Sequence, residues 1–163
     1  MDRQTIPEPA AAPSMDREEM PALPRIAYLT GLYPSVSHTF ILREVEALRG
    51  RGLDVITASI RRTGPEHHRG PAEKAAAATT FYVLDAAKRP ARLLGAIGGA
   101  LRRPRALGRT LGLAWSARRP GLRGALYQLF YLVEALVLAD HLRRAGATHL
   151  HNHFAQARAK VRR

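Results

Sequence analysis

Three histidines, His149, His151 and His153, alternate with Leu150 and Asn152 near the C-terminal end of the 163-residue sequence. Side chains at period two share one face of an extended segment, so neighbouring imidazoles here can hold a metal ion between them. A zinc site would still need a carboxylate, a further ligand or a water, with groups behind it to orient the rings. Two other readings stand beside that one: histidines at a polar sheet edge, and a His153 that projects into a ligand cleft at a strand end. The second constellation is the loop Gly31-Leu32-Tyr33-Pro34-Ser35-Val36-Ser37-His38-Thr39. Backbone amides at the helix start that follows it attract phosphate, and Ser37 or Thr39 can satisfy them as caps. Only Gly31 is present where a dinucleotide fingerprint needs three glycines, so no Rossmann dehydrogenase is expected. Cysteine is absent, which removes disulfides, thiol nucleophiles, zinc ribbons and iron–sulfur clusters.

These groups need a scaffold, and the hydropathy pattern supplies one. Residues 25–30 form a short, nearly continuous apolar run, as expected of a strand buried on both faces, and Gly31 should stop it. Phe40, Ile41, Val45 and Leu48 recur at helical spacing, and Gly50-Arg51-Gly52 ends the helix. Residues 53–60 read as a second, β-branched strand. Strand, helix and strand in this order make a right-handed βαβ unit and therefore a parallel sheet. A short helix over 72–78 and strands over 80–84 and 148–153 follow. Pro90, Pro104 and Pro120 divide residues 86–123 into two short helices. In the next helix Leu126, Leu129, Phe130, Val133, Leu136, Val137 and Leu142 form one apolar face, Arg143 and Arg144 suit its C-terminus, and Gly146 closes it. The expected fold class is α/β, an incomplete Rossmann-like parallel sheet flanked by helices. Such a sheet takes ligands beyond the C-terminal ends of its strands, which selects residues 31–39 and the end of the histidine strand. It also leaves an open edge and uncovered apolar helix faces.

Charge is distributed unevenly. The chain carries +13 with histidine neutral, and from Met20 onward 24 basic residues face 8 acidic ones. Of the basic residues 23 are Arg and three are Lys; Arg suits bidentate phosphate contacts, although a GC-rich coding sequence produces the same bias. Ten basic residues and no acidic one fall in 86–123, interleaved with Leu93, Leu94, Ile97, Leu101, Leu107, Leu111, Leu113 and Trp115. This is the pattern of cationic amphipathic helices that lie on anionic membranes, with Arg102, Arg103, Arg105, Arg109 and Trp115 as the docking residues. A solvated basic face is the plain alternative. Specific nucleic-acid binding is not expected, because no helix-turn-helix, zinc finger or aromatic stacking motif is present. The longest apolar stretch, 125–139, holds Gln128 and Glu134 and is shorter than the roughly 20 residues of a spanning helix. Residues 1–24, with Pro7, Pro9, Pro13, Pro21 and Pro24 and no apolar core, read as a disordered leader and not a signal peptide.

The segment RIAYLTGLYPSVSHTFILREVEALRGRGLDVITASIRR, followed much later by HLHNHF, resembles the N-terminal half of family-four glycosyltransferases, closest to the colanic-acid and exopolysaccharide type. The P-x-x-S-x-T-F-I-x-x-E loop and helix of that group are matched by Pro34, Ser37, Thr39, Phe40, Ile41 and Glu44. Its H-x-H-F strand is matched by His151, His153 and Phe154. His38 stands where many relatives have an acidic residue. The resemblance implies a two-domain GT-B fold of which 25–154 is the acceptor-side half, with 86–123 a basic insertion and 155–163 a short basic tail. It implies transfer of a sugar from a nucleotide donor to a lipid-linked or saccharide acceptor, with no cofactor and no metal required. Ser37, His38, Thr39, His151 and His153 would contact substrate, and His153 would line the cleft near the reacting sugar. The half that carries the donor site and an E-x7-E motif is not among these residues, so the chain is expected to be a fragment, inactive alone, in the cytoplasm at the inner face of the membrane. The competing expectation is a non-enzymatic basic adaptor for an anionic membrane or nucleic acid, with the histidine strand as a metal clip.

Overall fold

The computed structural model describes residues 24–118 and 120–153. The expected leader, apart from Pro24, the basic tail and Phe154 lie outside the described residues. Four strands form one parallel sheet: β1 (Ile26–Leu32), β2 (Val55–Arg61), β3 (Phe81–Tyr82) and β4 (His149–Asn152), in the order β3-β2-β1-β4. The class is α/β, with a partial Rossmann-like sheet.

Among the described residues six α-helices accompany the sheet: α1 (Thr39–Gly50), α2 (Pro71–Thr79), α3 (Val83–Ala87), α4 (Pro90–Leu101), α5 (Pro104–Ala117) and α6 (Leu122–Arg144). Alternation along the strands separates two cores. Ile26, Tyr28 and Val55 meet Ile41, Leu42 and Val45 of α1 and Ala72 and Ala76 of α2. Leu29, Ala58 and Ile60 meet α3, α4 and the C-terminal half of α6, through Val83, Ala86, Ala96, Val137 and Leu138. Successive residues of a strand point to opposite faces, so one β-branched run feeds both layers.

Local signals explain the element ends. Gly52 has φ 85° and Gly146 φ 68°, the left-handed region that glycine enters without penalty. After each helix the same pair of bonds forms, Gly52 N–H to Arg49 O (2.9 Å) with Leu53 N–H to Leu48 O (3.1 Å), and Gly146 N–H to Arg143 O (3.1 Å) with Ala147 N–H to Leu142 O (2.9 Å). Pro90 and Pro104 stand in the first turns of α4 and α5, where a missing N–H costs nothing.

Several expectations change. Gly31 does not stop β1: the ladder continues from Thr30↔Ser59 to Leu32↔Arg61, because an extended glycine between paired neighbours leaves the ladder intact. The third strand is two residues long, not five; Val83 and Ala86, one helical turn apart, are drawn into the second core as α3. A short apolar run does not by itself distinguish strand from helix. Neither Ser37 nor Thr39 caps α1. His38 occupies the cap position without a side-chain capping bond to the helix, while the Ser37 hydroxyl pairs with that of Ser35 at 3.0 Å.

The largest correction concerns α6. Its 23 residues make it long and apolar enough, by length and composition, to cross a membrane, because helical residues on both sides of the apolar stretch extend it. Its expected apolar face is also only half covered. Val137 and Leu138 are buried and Leu136 and Leu142 pack beside them, whereas Leu126, Leu129 and Phe130 are exposed, as are Leu122, Tyr127 and Tyr131. The core contacts of α6 lie along its C-terminal half, and within 122–130 Gly124 alone is buried. β4 pairs with β1 on one side, and all four of its residues are exposed.

Candidate functional site

The strand order reverses between β1 and β4, and an open α/β sheet forms its ligand crevice at that switch point, outside the carboxyl ends of the strands. Parallel register puts Tyr28 opposite His151 and Ile26 opposite His149. The backbone N–H of His153 donates to Leu29 O at 2.9 Å, which extends the β1 contact by one residue and fixes where His153 leaves the sheet.

Tyr28 is the centre of the arrangement. Its ring lies 4.8 Å from that of His151 and 5.3 Å from that of His153, and the two imidazoles meet edge to face at 4.4 Å. The Tyr28 hydroxyl donates to Glu44 Oε1 at 2.9 Å, and Glu44 Oε2 lies 3.3 Å from His153 Nε2. Burial, then the hydrogen bond to Glu44 and its negative charge, push the Tyr28 pKa up to about 12. Tyr28 is therefore a neutral donor throughout the physiological range. Glu44 is in place because it falls inside the inward stripe of α1, three residues after Ile41 and four before Leu48.

Phe40 joins the loop to this cluster. Its ring is 6.2 Å from His38 and 6.3 Å from His153, edge-on to both, and it is 50% exposed. The loop is anchored from its other side by Val36 N–H, which donates to His67 Nδ1 at 3.2 Å. Of the expected site residues, His38, His151 and His153 thus lie along one aromatic row at the β1–β4 crevice. Ser37 and Thr39 are exposed at the start of α1, and the Ser37 hydroxyl is turned towards Ser35. His149 lies one pleat back and outside the cluster.

Sequence reasoning passed over Tyr28, and it named Glu44 only as the last residue of the loop-and-helix motif, without a role in the site. Tyr28 reads as one apolar residue in a strand, and Glu44 as part of the polar face of a helix. The signal for Glu44 was its position inside the apolar stripe. Tyr28 carried none until the β1–β4 register was known.

The expected docking residues stand on the opposite layer. Arg102, Arg103, Arg105 and Arg109 are exposed, Trp115 is 69% exposed, and the Arg118 guanidinium stacks over its ring at 3.9 Å. A cavity of about 360 Å³ lies between α4, α5 and α6, lined by Ala96, Ala100, Leu107 and Leu136 beside Asp140 and Arg143. The Asp140 carboxylate is already held by Arg143 at 2.6 Å and Arg144 at 2.7 Å. The lining of this cavity belongs to the helical layer and includes none of Tyr28, Glu44, His151 and His153.

Comparison with protein-family models, curated proteins and solved structures gives no match to this chain.

Proposed function

We propose that this chain is the acceptor-side half of a glycosyltransferase of the family-four type, working against an anionic membrane surface. The observation that carries the reading is the convergence at the β1–β4 crevice. Phe40 and Glu44 come from the loop-and-helix motif, and His151 and His153 from the distant histidine motif. They meet with Phe40 6.3 Å and Glu44 3.3 Å from His153. A crevice with a half-exposed aromatic ring, two imidazoles and a carboxylate suits a saccharide: the apolar face of a sugar ring rests on Phe40, and its hydroxyls bond to His151, His153 and Glu44.

In the transfer the acceptor hydroxyl oxygen forms a bond to the anomeric carbon of the donor, and its proton passes to the departing diphosphate. The bond from that carbon to the diphosphate oxygen breaks, and the nucleoside diphosphate leaves with the electron pair. Stabilising that leaving charge is the largest catalytic demand, and these 163 residues hold no pair of glutamates in the E-x7-E spacing that would serve it. The chain should bind acceptor without turning over donor. A saccharide linked to a polyprenyl diphosphate should shift the imidazole NMR signals of His151 and His153, and Phe40→Ala should weaken its binding by about tenfold, the loss of roughly 1.4 kcal/mol of ring contact. Unmoved signals, or release of nucleotide from sugar nucleotides by this chain alone, would sink the reading.

The membrane half of the proposal rests on α5 and α6. Leu111, Leu113, Trp115, Leu122, Leu126, Leu129 and Phe130 are exposed together, in a region whose basic residues face no acidic one between 86 and 123. The C-terminal half of α6 packs on the sheet through Val137 and Leu138, so crossing a bilayer would strip that core; shallow insertion of the N-terminal half keeps it. Each basic residue near an anionic surface contributes about 1 kcal/mol. Replacing Arg102, Arg103, Arg105 and Arg109 by Gln should lower binding to anionic vesicles by about three orders of magnitude on that scale, with zwitterionic vesicles bound weakly throughout. Equal partition with both vesicle types, together with duplex binding that falls steeply with salt, would replace the membrane by nucleic acid.

A further inference from the structure

We propose that Glu44, His151 and His153 bind a divalent cation of the zinc type, leaving one coordination position open. One ligand atom from each of the three side chains lies within 4.8 Å of the other two. Zinc binds imidazole nitrogen and carboxylate oxygen at about 2.0–2.1 Å in a tetrahedron, whose edges are then about 3.4 Å. The 3.3 Å between Glu44 Oε2 and His153 Nε2 already has that length. The widest separation in the trio must close by at most about 1.4 Å on the same geometry, which is within the swing of the exposed His151 ring.

The surroundings orient these groups as outer partners of a metal site do. The Tyr28 hydroxyl donates to Glu44 Oε1 and so leaves Oε2 for the cation. The Tyr28 ring backs both imidazoles, and the His153 backbone is tied to β1 through Leu29 O. Outer groups of this kind fix ligand orientation and raise affinity. Two imidazoles and one carboxylate favour zinc, cobalt or nickel over magnesium and calcium, which want oxygen. Three protein ligands among the described residues, not four, are the mark of a site that keeps a place for water or for an oxygen of a bound molecule. The register also decides which histidines take part: His149 sits opposite Ile26 and is excluded, and Glu44 takes the place a third histidine would have had. The inference stands on these side chains and does not rest on sugar transfer.

Calorimetric titration of the full chain with zinc chloride alone tests it. One ion should bind per chain, and cobalt(II) in its place should give the intense visible absorption of four-coordinate cobalt. His151→Ala, His153→Ala and Glu44→Gln should each abolish one-to-one binding, Tyr28→Phe should weaken it about tenfold, and His149→Ala should leave it unchanged. Absence of saturable binding would overturn the proposal, as would binding that survives His151→Ala or is lost with His149→Ala. Should a variant fail to fold, the wild-type chain still decides: zinc must move the imidazole NMR signals of His151 and His153 before those of His67 and His68, and any other order counts against the site. No sugar enters these titrations, so their failure leaves the saccharide reading untouched, and failure of saccharide binding leaves the cation site untouched.

Discussion

Val45 of α1 and Leu113 of α5 are both aliphatic residues on amphipathic helices, and their surroundings are opposite. Val45 is 0% exposed, packed between α1 and the sheet, whereas Leu113 is 71% exposed. The contrast extends to the whole elements: α1 buries Ile41, Leu42 and Val45, and α5 has no buried residue in its 14. The α1 layer uses its apolar side chains for folding and sets the crevice that holds Tyr28, Glu44 and His153. The α4–α5–α6 layer carries a comparable apolar content that the described fold leaves largely uncovered, beside a run of arginines. Apolar periodicity alone does not say whether a stripe meets a core or another surface.

The sharpest way to break this comparison is truncation on both sides of it. Ile41→Ala should destabilise the protein by about 2–5 kcal/mol, the range for emptying a buried aliphatic site. Leu113→Ala should change stability by less than about 0.5 kcal/mol, as for exposed positions. Urea denaturation followed by far-ultraviolet circular dichroism reads both. A Leu113→Ala cost near that of Ile41→Ala would mean that α5 belongs to the folding core, and the division of the molecule proposed here would fail.

A second, smaller contrast lies in pH. Burial above all pushes the pKa of Tyr33, like that of Tyr28, up to about 12. The unfolded chain releases these protons near pH 10 and the folded chain only near 12, so the stability they contribute is complete below pH 10 and is lost as pH rises to 12. In the helical layer, burial and then the Arg92 charge lower the pKa of His141, whose ring stacks on Phe81 at 3.6 Å. Its contribution is present above the unfolded value of 6.5 and is lost as pH falls through the folded value. The α1 layer should therefore be the alkali-sensitive side and the α3–α6 layer the acid-sensitive one. His141→Phe should flatten the fall in denaturation midpoint between pH 7 and pH 5, and Tyr33→Phe should flatten the fall between pH 10 and pH 12. Taking the difference from wild type removes the opposite contribution of Glu134, whose carboxyl burial pushes up. If His141→Phe followed the wild-type curve on the acid side, that imidazole would not distinguish the two layers.

What could be read from the sequence follows the same division. The βαβ unit was legible because residues 25–60 carry apolar runs, a helical stripe and terminating glycines that agree with one another. Pro90 and Pro104 marked the starts of α4 and α5 for a purely local reason. β3 was overestimated because the apolar run over 80–84 suits a strand or a buried helix equally, and the second core decides. An incomplete sheet already implied uncovered apolar helix faces, but which half of α6 stays uncovered was not legible, because its apolar stripe continues past the point where its core contacts end. At the site, period two correctly set His151 and His153 on one face, but only the β1–β4 register says that Tyr28 stands opposite His151 and Ile26 opposite His149. Glu44 belongs to the crevice through the packing of α1 against β1, and no spacing within its own segment shows its partner.

The smallest expected effect tests whether α4 is fastened to α6 by more than apolar contact. Gly98 and Gly99 are adjacent in α4, and a methyl group at Gly98 would meet nothing within 4 Å. Gly98→Ala should therefore stabilise the protein by about 0.5–1 kcal/mol, the usual gain in a helix interior. A methyl group at Gly99 would sit 2.7 Å from Arg143 Nη2 and 3.1 Å from Asp140 Oδ1. The guanidinium must then withdraw from Asp140, a buried carboxylate that would be left with Arg144 at 2.7 Å. Arg143 is a third exposed, so it can swing out, but the lost charge-assisted bond is of the same order as the helix gain. Gly99→Ala should come out near neutral or slightly destabilising, below Gly98→Ala by about 1 kcal/mol on these magnitudes. In an Arg143→Ala background most of that gap should close, since the methyl group then meets only Asp140 Oδ1, at 3.1 Å. A gap that persists there in full would place the strain on Asp140 Oδ1 and not on the guanidinium, and equal stabilisation by both substitutions in the wild type would show that the Arg143–Asp140 pair does not hold the two helices together.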